Sequence, residues 1–220
     1  MIDKYNLLSG LRCAIWMDAT DASELAQGTE FAVTHQMPAI AVVPDAVPVI
    51  WPWVEGRGIE IGVRVSSTAN RGAASQLTPQ IKAAFMQGAD GAIISMTPRG
   101  LEKFADDMCI VRNDLFFDKK MTIMLDLNDI DDCNAWAGVF DALGRVGANR
   151  VMLTWGGDDG DASDFVGRVY GMLGLWDQST FDGDMHFALG ADITRVIQTS
   201  RLVEKMQPRL SPRVVYYIPF

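Results

Sequence analysis

A chain of 220 residues with 49% hydrophobic and 21% charged residues has the composition of one globular domain, which we predict to span residues 1–220. The net charge of −9 argues against a nucleic-acid partner, because phosphate backbones attract clustered lysine and arginine. No window approaches 18 uncharged apolar residues, so we expect no membrane partner.

Cysteine usage and the first residues predict a cytoplasmic protein. Cys13, Cys109 and Cys133 lie far apart and form no CxxC pair, which is typical of reduced, structural thiols. The first twenty residues lack a basic start followed by a long apolar core, so we expect no secretory signal.

Apolar runs of strand length alternate along the chain with segments of helical spacing. The predicted strands are Arg12–Asp18, Ala39–Val43, Ile59–Val65, Gly91–Met96, Met121–Asp126, Val151–Thr154, Met185–Leu189 and Arg213–Ile218. The predicted helices are Ala22–Thr34, Pro79–Gln87, Leu101–Phe117, one from Asp131 and Asp132 to Arg145, Ser163–Leu173, and Ile193–Met206. Pro48 and Pro52 indicate a broken helix or a turn, and Ser66–Gly72 a polar loop.

Eight strands alternating with helices predict an α/β protein, a (β/α)8 TIM barrel of eight parallel strands, with an open doubly wound sheet as the alternative. No helix is predicted after the last strand. We expect that face of the barrel to be left open unless the N-terminal segment or a neighbouring subunit covers it, which predicts a homo-oligomer.

Four motifs recur at consistent spacing between about residues 11 and 195. They are Trp16-Met-Asp-Ala-Thr20 on the first strand, Ala39–Pro44 with Val47-Pro48 after the second, Gln87–Leu101 around the fourth, and Val146–Asn149 before the sixth. This ordered set resembles the deoxyribose-phosphate aldolase family, a class I aldolase barrel. The resemblance implies the same barrel fold.

The sequence departs from that family at the residues that carry its chemistry. The resemblance implies a Schiff-base lysine on strand six, where this chain has Met152. A second lysine on strand seven falls on Ala188, and a strand-four catalytic aspartate falls on Ile93. Asp18 keeps the strand-one acid, and Asp126 stands in place of a strand-five glutamate.

The lysines of the chain agree with this departure. All six lie on predicted helices, at termini or on the approach to strand five: Lys4, Lys82, Lys103, Lys119, Lys120 and Lys205. A Schiff base needs a lysine held neutral in the active-site pocket, and barrel active sites form at the carboxyl ends of strands. The family's own mechanism is therefore not expected here.

Acidic residues follow five of the predicted strands: Asp18, Asp45, Asp126, Asp158, Asp159 and Asp192. Such a ring could hold a divalent cation or a cationic substrate, and it could equally consist of helix N-caps and solvated loop acids. We assign no metal ligand and no cofactor.

The candidate catalytic residues are Asp18, Asp126 and His186; His186 is alternatively a hydrogen-bonded core residue. Arg64 interrupts a strand, and either points to the helices or enters the barrel as an anion anchor. The candidate substrate-binding residues are Arg64, Ser95, Arg99, Thr154, Gly156, Gly157 and Gly190.

Three functional hypotheses follow. The first is a diverged aldolase-like barrel that binds a small molecule or is non-catalytic. The second is a lyase or hydrolase that uses a metal held by aspartates, and the third is a structural or assembly protein. We favour the first, because both lysines and the strand-four acid are replaced without an evident substitute.

Overall fold

Eight parallel strands pair in chain order, and the last strand pairs with the first to close a barrel. The computed structural model describes residues 8, 10–66, 73–130, 132, 134–155 and 162–220. The strands are β1 Cys13–Trp16, β2 Ala39–Val42, β3 Glu60–Ser66, β4 Gly91–Ser95, β5 Lys120–Asp126, β6 Arg150–Thr154, β7 Asp184–Ala188 and β8 Val214–Pro219. The helices are α1 Ala22–Thr34, α2 Val47–Val54, α3 Ala73–Met86, α4 Pro98–Leu115, α5 Ala135–Val146, α6 Ala162–Trp176 and α7 Ile193–Met206. The predicted (β/α)8 barrel is confirmed.

Successive side chains of each strand point to opposite faces, so the strands build two separate cores. The outward residues, among them Ile15, Val63 and Ile123, join the large core beneath the helices. The inward residues form a second, smaller cluster inside the barrel: Ala14, Ala39, Ala41, Ile93, Met152, Val215 and Tyr217. This inner cluster separates the two open ends of the barrel.

Local sequence signals explain several helix ends. The carboxylate of Asp21 accepts hydrogen bonds from the backbone N–H groups of Ser23 (2.9 Å) and Glu24 (3.2 Å), which caps α1. Helix α5 ends at Gly147, whose φ of 71° is the left-handed conformation that glycine adopts without strain.

Several helices differ from their predicted bounds. Helix α3 begins at Ala73, so Pro79 lies inside it and does not mark its start. Pro52 likewise lies inside α2, which forms a single helix. Asp132 accepts from the N–H of Asn134 (2.8 Å) in the turn before α5, and that helix begins only at Ala135. A proline removes one backbone hydrogen bond, and the remaining turns of a helix can tolerate this loss.

The outer face of β8 is covered by the chain itself. Val214, Tyr216 and Ile218 are 2–4% exposed, and the ring of Tyr216 stacks on Phe187 with centroids 5.8 Å apart. No helix follows this strand, as predicted. The outward side chains of β8 are therefore buried within a single chain, and the predicted homo-oligomer stays a prediction.

Candidate functional site

The carboxyl ends of parallel strands meet at one end of a barrel, which we call the mouth. Asp18 lies two residues after β1, while Ser95, Asp126 and Thr154 are the last residues of β4, β5 and β6. The sheet register pairs Asp126 with Thr154 directly. Four of the predicted site residues therefore lie at this mouth.

Arg64 on β3 forms several contacts at the mouth. Its Nη1 forms an ion pair with Asp18 Oδ1 (2.5 Å), and its Nη2 donates to the carbonyl of Met17 (2.8 Å). Its guanidinium carbon lies 4.2 Å from the centre of the Trp16 ring, a cation–π distance. Trp16 Nε1 donates to both Asp18 oxygens, at 3.2 and 3.1 Å. Arg64 thus points into the barrel mouth and away from the helices.

This cluster constrains what its members can do. The Asp18 side chain is 74% exposed and the Arg64 side chain is 16% exposed, so the ion pair extends from the solvent into the barrel. The Asp18 carboxylate already has two side-chain partners, Arg64 and Trp16. Arg64 Nε is buried and has no acceptor among the described residues. The cluster therefore has one unsatisfied buried donor.

Asp126 and Thr154 have local structural partners. The Asp126 carboxylate accepts from the N–H of Asn128 (2.8 Å) and caps the short 3-10 helix Leu127–Asp129. The Thr154 hydroxyl lies 3.4 Å from the carbonyl of Leu125, at the limit of a hydrogen bond. Both side chains are half-buried, so they can also face a ligand in the mouth.

His186 lies one inward position deeper than Ala188, in register with Met152. It is 3% exposed, and its Nδ1 has no hydrogen-bond partner among the described residues. Burial lowers the pKa of His186 well below its usual value, and the nearby charges of Arg150 and Arg12 lower it further. His186 is therefore a neutral group inside the barrel, and its predicted catalytic role stays a prediction.

The other predicted residues lie outside this arrangement. Arg99 is exposed in the first turn of α4, and Gly190 is an exposed turn residue with φ of 69° after β7. Gly156 and Gly157 lie outside the described residues, as do Asp131, Asp158 and Asp159. Asp192 caps α7 by accepting from the N–H of Thr194 (2.9 Å), as the helix-cap interpretation predicted.

The described acidic residues do not converge on one point. Within the part of the chain that the structure describes, no three His, Cys, Asp or Glu side chains are close enough to share a metal ion. Among the same residues, no helix is long and apolar enough to cross a membrane.

Sequence reasoning missed the role of Trp16. Trp16 begins the strand-one motif that contains Asp18, but it is not among the candidate site residues predicted from the sequence. The sequence does carry a signal for this role. Trp16 stands two positions before Asp18 at the end of strand one, and Arg64 lies on a nearby strand.

Comparisons with known proteins support the fold. No protein-family model matches the sequence, and no curated protein matches it significantly. A structure from Toxoplasma gondii ME49, assigned as a deoxyribose-phosphate aldolase, is 12% identical with a TM-score of 0.78, over 99% of this chain and 91% of that chain. A similarly assigned structure from Coccidioides immitis is 14% identical with a TM-score of 0.72, over 93% and 80% of the two chains.

A third similar structure is the deoxyribose-phosphate aldolase of Aeropyrum pernix. It is 12% identical with a TM-score of 0.67, over 90% of this chain and 86% of that chain. At such low identities, the likeness establishes an aldolase-like barrel fold and leaves activity open.

Proposed function

We propose that this protein is an aldolase-like barrel that binds a small polar molecule at its mouth and forms no Schiff base with it. The observation that carries the proposal is Met152. It is 0% exposed on the inner face of β6, where the resemblance implies the Schiff-base lysine. A thioether has no amine with which to form a Schiff base.

The surroundings of Met152 support the same conclusion. Ala188 and Ile93, which take the places of the second lysine and the acid, pack with it in the inner cluster. The described lysines lie elsewhere: Lys82, Lys103 and Lys205 on helices, and Lys119 and Lys120 at the amino end of β5. No described lysine therefore places an amine at the mouth.

The mouth favours a ligand that offers an oxygen acceptor. Arg64 is held in place by Asp18, Met17 and Trp16, and its buried Nε still lacks an acceptor. A guanidinium forms its strongest hydrogen bonds with carbonyl and carboxylate oxygens, so these are the ligand groups that Arg64 favours. The hydroxyls of Ser95 and Thr154, the last residues of β4 and β6, are available to further oxygens of a hydroxylated ligand.

Among the described residues, no acidic cluster supports the metal hypothesis, and β8 offers no uncovered face for the assembly hypothesis. A metal-dependent lyase would need the mouth aspartates, but Asp18 is bound to Arg64 and Trp16, and Asp126 caps a 3-10 helix. The structural or assembly hypothesis drew on an uncovered last strand, and the outward side chains of β8 are buried.

Borohydride trapping tests the absence of a Schiff base. We expect no reduced adduct by mass spectrometry after incubation with acetaldehyde and borohydride at neutral pH, whereas a lysine-dependent aldolase treated in parallel should be labelled. An adduct mapped to any lysine at the mouth would overturn the proposal.

Ligand binding can be tested with a thermal-shift screen of small hydroxycarboxylates, hydroxyaldehydes and their uncharged analogues. A compound that binds the mouth should raise the melting temperature of the native protein and lose most of that effect in Arg64→Gln. The matched control is Arg201→Gln, an exposed arginine on α7. If all hits act equally on Arg64→Gln and the control, Arg64 does not form the site.

A further inference from the structure

The amino-terminal end of the barrel, opposite the mouth, carries exposed apolar side chains. Met86, the last residue of α3, is 89% exposed, and Phe117, just after α4, is 98% exposed. The rings of Phe85 and Phe116 meet edge to face with centroids 5.2 Å apart. Their chain neighbours Met86 and Phe117 therefore lie on adjoining helix ends, and adjoining apolar residues mark interaction surfaces more often than isolated ones do.

A cleft of about 480 Å³ lies on the same end of the barrel. Trp51 on α2 forms part of its wall, and the Trp51 ring fills the space beside Gly88, where a Cβ atom would collide with it. Asp118, the residue after Phe117, also lines the cleft. A protruding phenyl ring and a cleft with an aromatic wall are therefore next to each other on one face.

This neighbourhood of ring and cleft suits a second copy of the chain. In a two-fold dimer the same surface of both copies meets, so a ring beside a cleft can fill the cleft of the other copy, and the contact forms twice. A cavity of about 150 Å³ holds a benzene molecule. The cleft therefore has room for the side chain of Phe117.

The charges around the cleft also suit a second copy. The whole chain has a net charge of −9, so contacts between two copies generally bring acidic surfaces together. The charged residues that line the cleft, with Arg57 between two of its glycines and Arg150 bound to Glu60, are four acids and four bases: Glu55, Glu60, Asp90, Asp118, Arg57, Lys119, Lys120 and Arg150. Acids and lysines on one self-associating face can pair across the two-fold axis, so this face avoids the general repulsion.

The exposed aromatic area is large enough for the centre of an interface. A covered aromatic side chain buries about 150–250 Å², so Trp51 (37% exposed) and Phe117 together offer roughly 200–350 Å². A standard interface buries about 800 Å² on each partner, with an apolar centre and a polar rim. Met86 adds to this centre, and the charged residues around the cleft supply the rim.

We propose that this face joins two copies of the chain in a two-fold dimer. Phe117 of each copy enters the cleft of the other beside Trp51, and the lysines at each cleft pair with the acids of the other copy. The predicted homo-oligomer then forms through this face and not at β8. The inference is independent of the function proposed for the mouth, which lies at the other end of the barrel.

Sedimentation velocity of the whole protein at concentrations up to about 100 μM tests the dimer. We expect a species of twice the chain mass of 24.2 kDa. Phe117→Ser should raise the dissociation constant of the dimer at least about tenfold, whereas Tyr170→Ser, at a 59% exposed aromatic residue on α6, should leave it unchanged. A protein that is monomeric at every concentration, or equal dissociation constants for the two variants, would overturn the proposal.

Charge reversal tests the pairing between the two copies. Lys119→Glu/Lys120→Glu makes the face wholly acidic around the cleft, and Glu55→Lys/Asp118→Lys makes it strongly basic. Each variant alone should be monomeric, because like charges then meet across the axis. An equimolar mixture of the two should form a dimer with one copy of each, and a mixture that stays monomeric would overturn the proposed pairing.

The matched control for net charge is Arg201→Glu/Lys205→Glu, which reverses two exposed basic residues on α7. It changes the net charge as much as Lys119→Glu/Lys120→Glu does, and it should sediment as a dimer like the native protein. Equal dissociation of these two variants would assign the effect to overall charge and overturn the location.

Discussion

Arg150 on β6 binds Glu60 on β3 across the amino-terminal end of the barrel. Nη1 contacts Oε1, and Nη2 donates to Oε2 at 2.8 Å, so the pair is bidentate. Their side chains are 16% and 23% exposed. Because the two strands are three positions apart in the sheet, this pair ties opposite sides of the barrel together.

Breaking this pair should cost far more than breaking a surface pair. We expect Arg150→Met to lower the free energy of unfolding by about 2–4 kcal/mol, since it leaves the Glu60 charge half-buried without a partner. Arg145→Met removes the exposed pair of Arg145 with Asp141 (3.3 Å) and should cost less than about 1 kcal/mol. Urea unfolding of both variants measures the difference.

The double variant Glu60→Gln/Arg150→Met gives the corresponding check. It should recover part of the stability lost in Arg150→Met, because no half-buried charge is then left unpaired. Equal costs for Arg150→Met and Arg145→Met would mean that the pair is solvated and does not stabilise the barrel.

His186 should make the fold sensitive to mild acid. Its pKa is lowered by burial in the folded state, so below about pH 6.5 the unfolded chain binds a proton that the folded chain does not. The free energy of unfolding should therefore have its full value above about pH 6.5. Below that pH it should fall by up to about 1.4 kcal/mol per pH unit. Urea unfolding between pH 7.5 and 5 measures this slope.

Replacing the imidazole isolates its contribution. His186→Leu should reduce the dependence of the unfolding free energy on pH. It should lower that free energy only slightly at neutral pH, because Nδ1 has no hydrogen-bond partner to lose. His35→Gln, at the exposed end of α1, should keep the slope of the native protein. An unchanged slope in His186→Leu would assign the acid sensitivity to other groups.

Gly88 should be less tolerant of a side chain than Gly58. Both have positive φ, at 107° and 74°, so an added Cβ strains the backbone at either position. At Gly58 nothing lies within 4 Å of that atom, whereas at Gly88 it meets the Trp51 ring. We expect Gly58→Ala to cost about 1 kcal/mol and Gly88→Ala at least about 1 kcal/mol more. Similar melting temperatures for the two variants would show that Trp51 moves aside freely.

The sequence pattern predicted the features that depend on local periodicity. The run of apolar residues placed Met152 and Thr154 on the sixth strand, and the cap interpretation of Asp192 was right. The pattern left the direction of the Arg64 side chain open, because its partners Met17 and Asp18 lie just after a strand, almost fifty residues earlier in the chain. Periodicity also could not show that the outer face of β8 is buried within the chain. Contacts between distant segments are what local reasoning leaves undetermined.

Met152 offers the sharpest test of the barrel interior. Met152→Lys places an amine where the native side chain is fully buried, so burial should lower the pKa of that amine in the folded state. The unfolded chain then binds a proton below about pH 10.4 that the folded chain does not, and stability falls as the pH drops. A depression of about three pH units would cost about 4 kcal/mol at pH 7 and less at pH 9.5. Met152→Leu, which nearly conserves volume, should cost less than about 1.5 kcal/mol at both. Urea unfolding at both pH values compares the variants, and equal stability of the two at pH 7 would mean that position 152 is open to solvent.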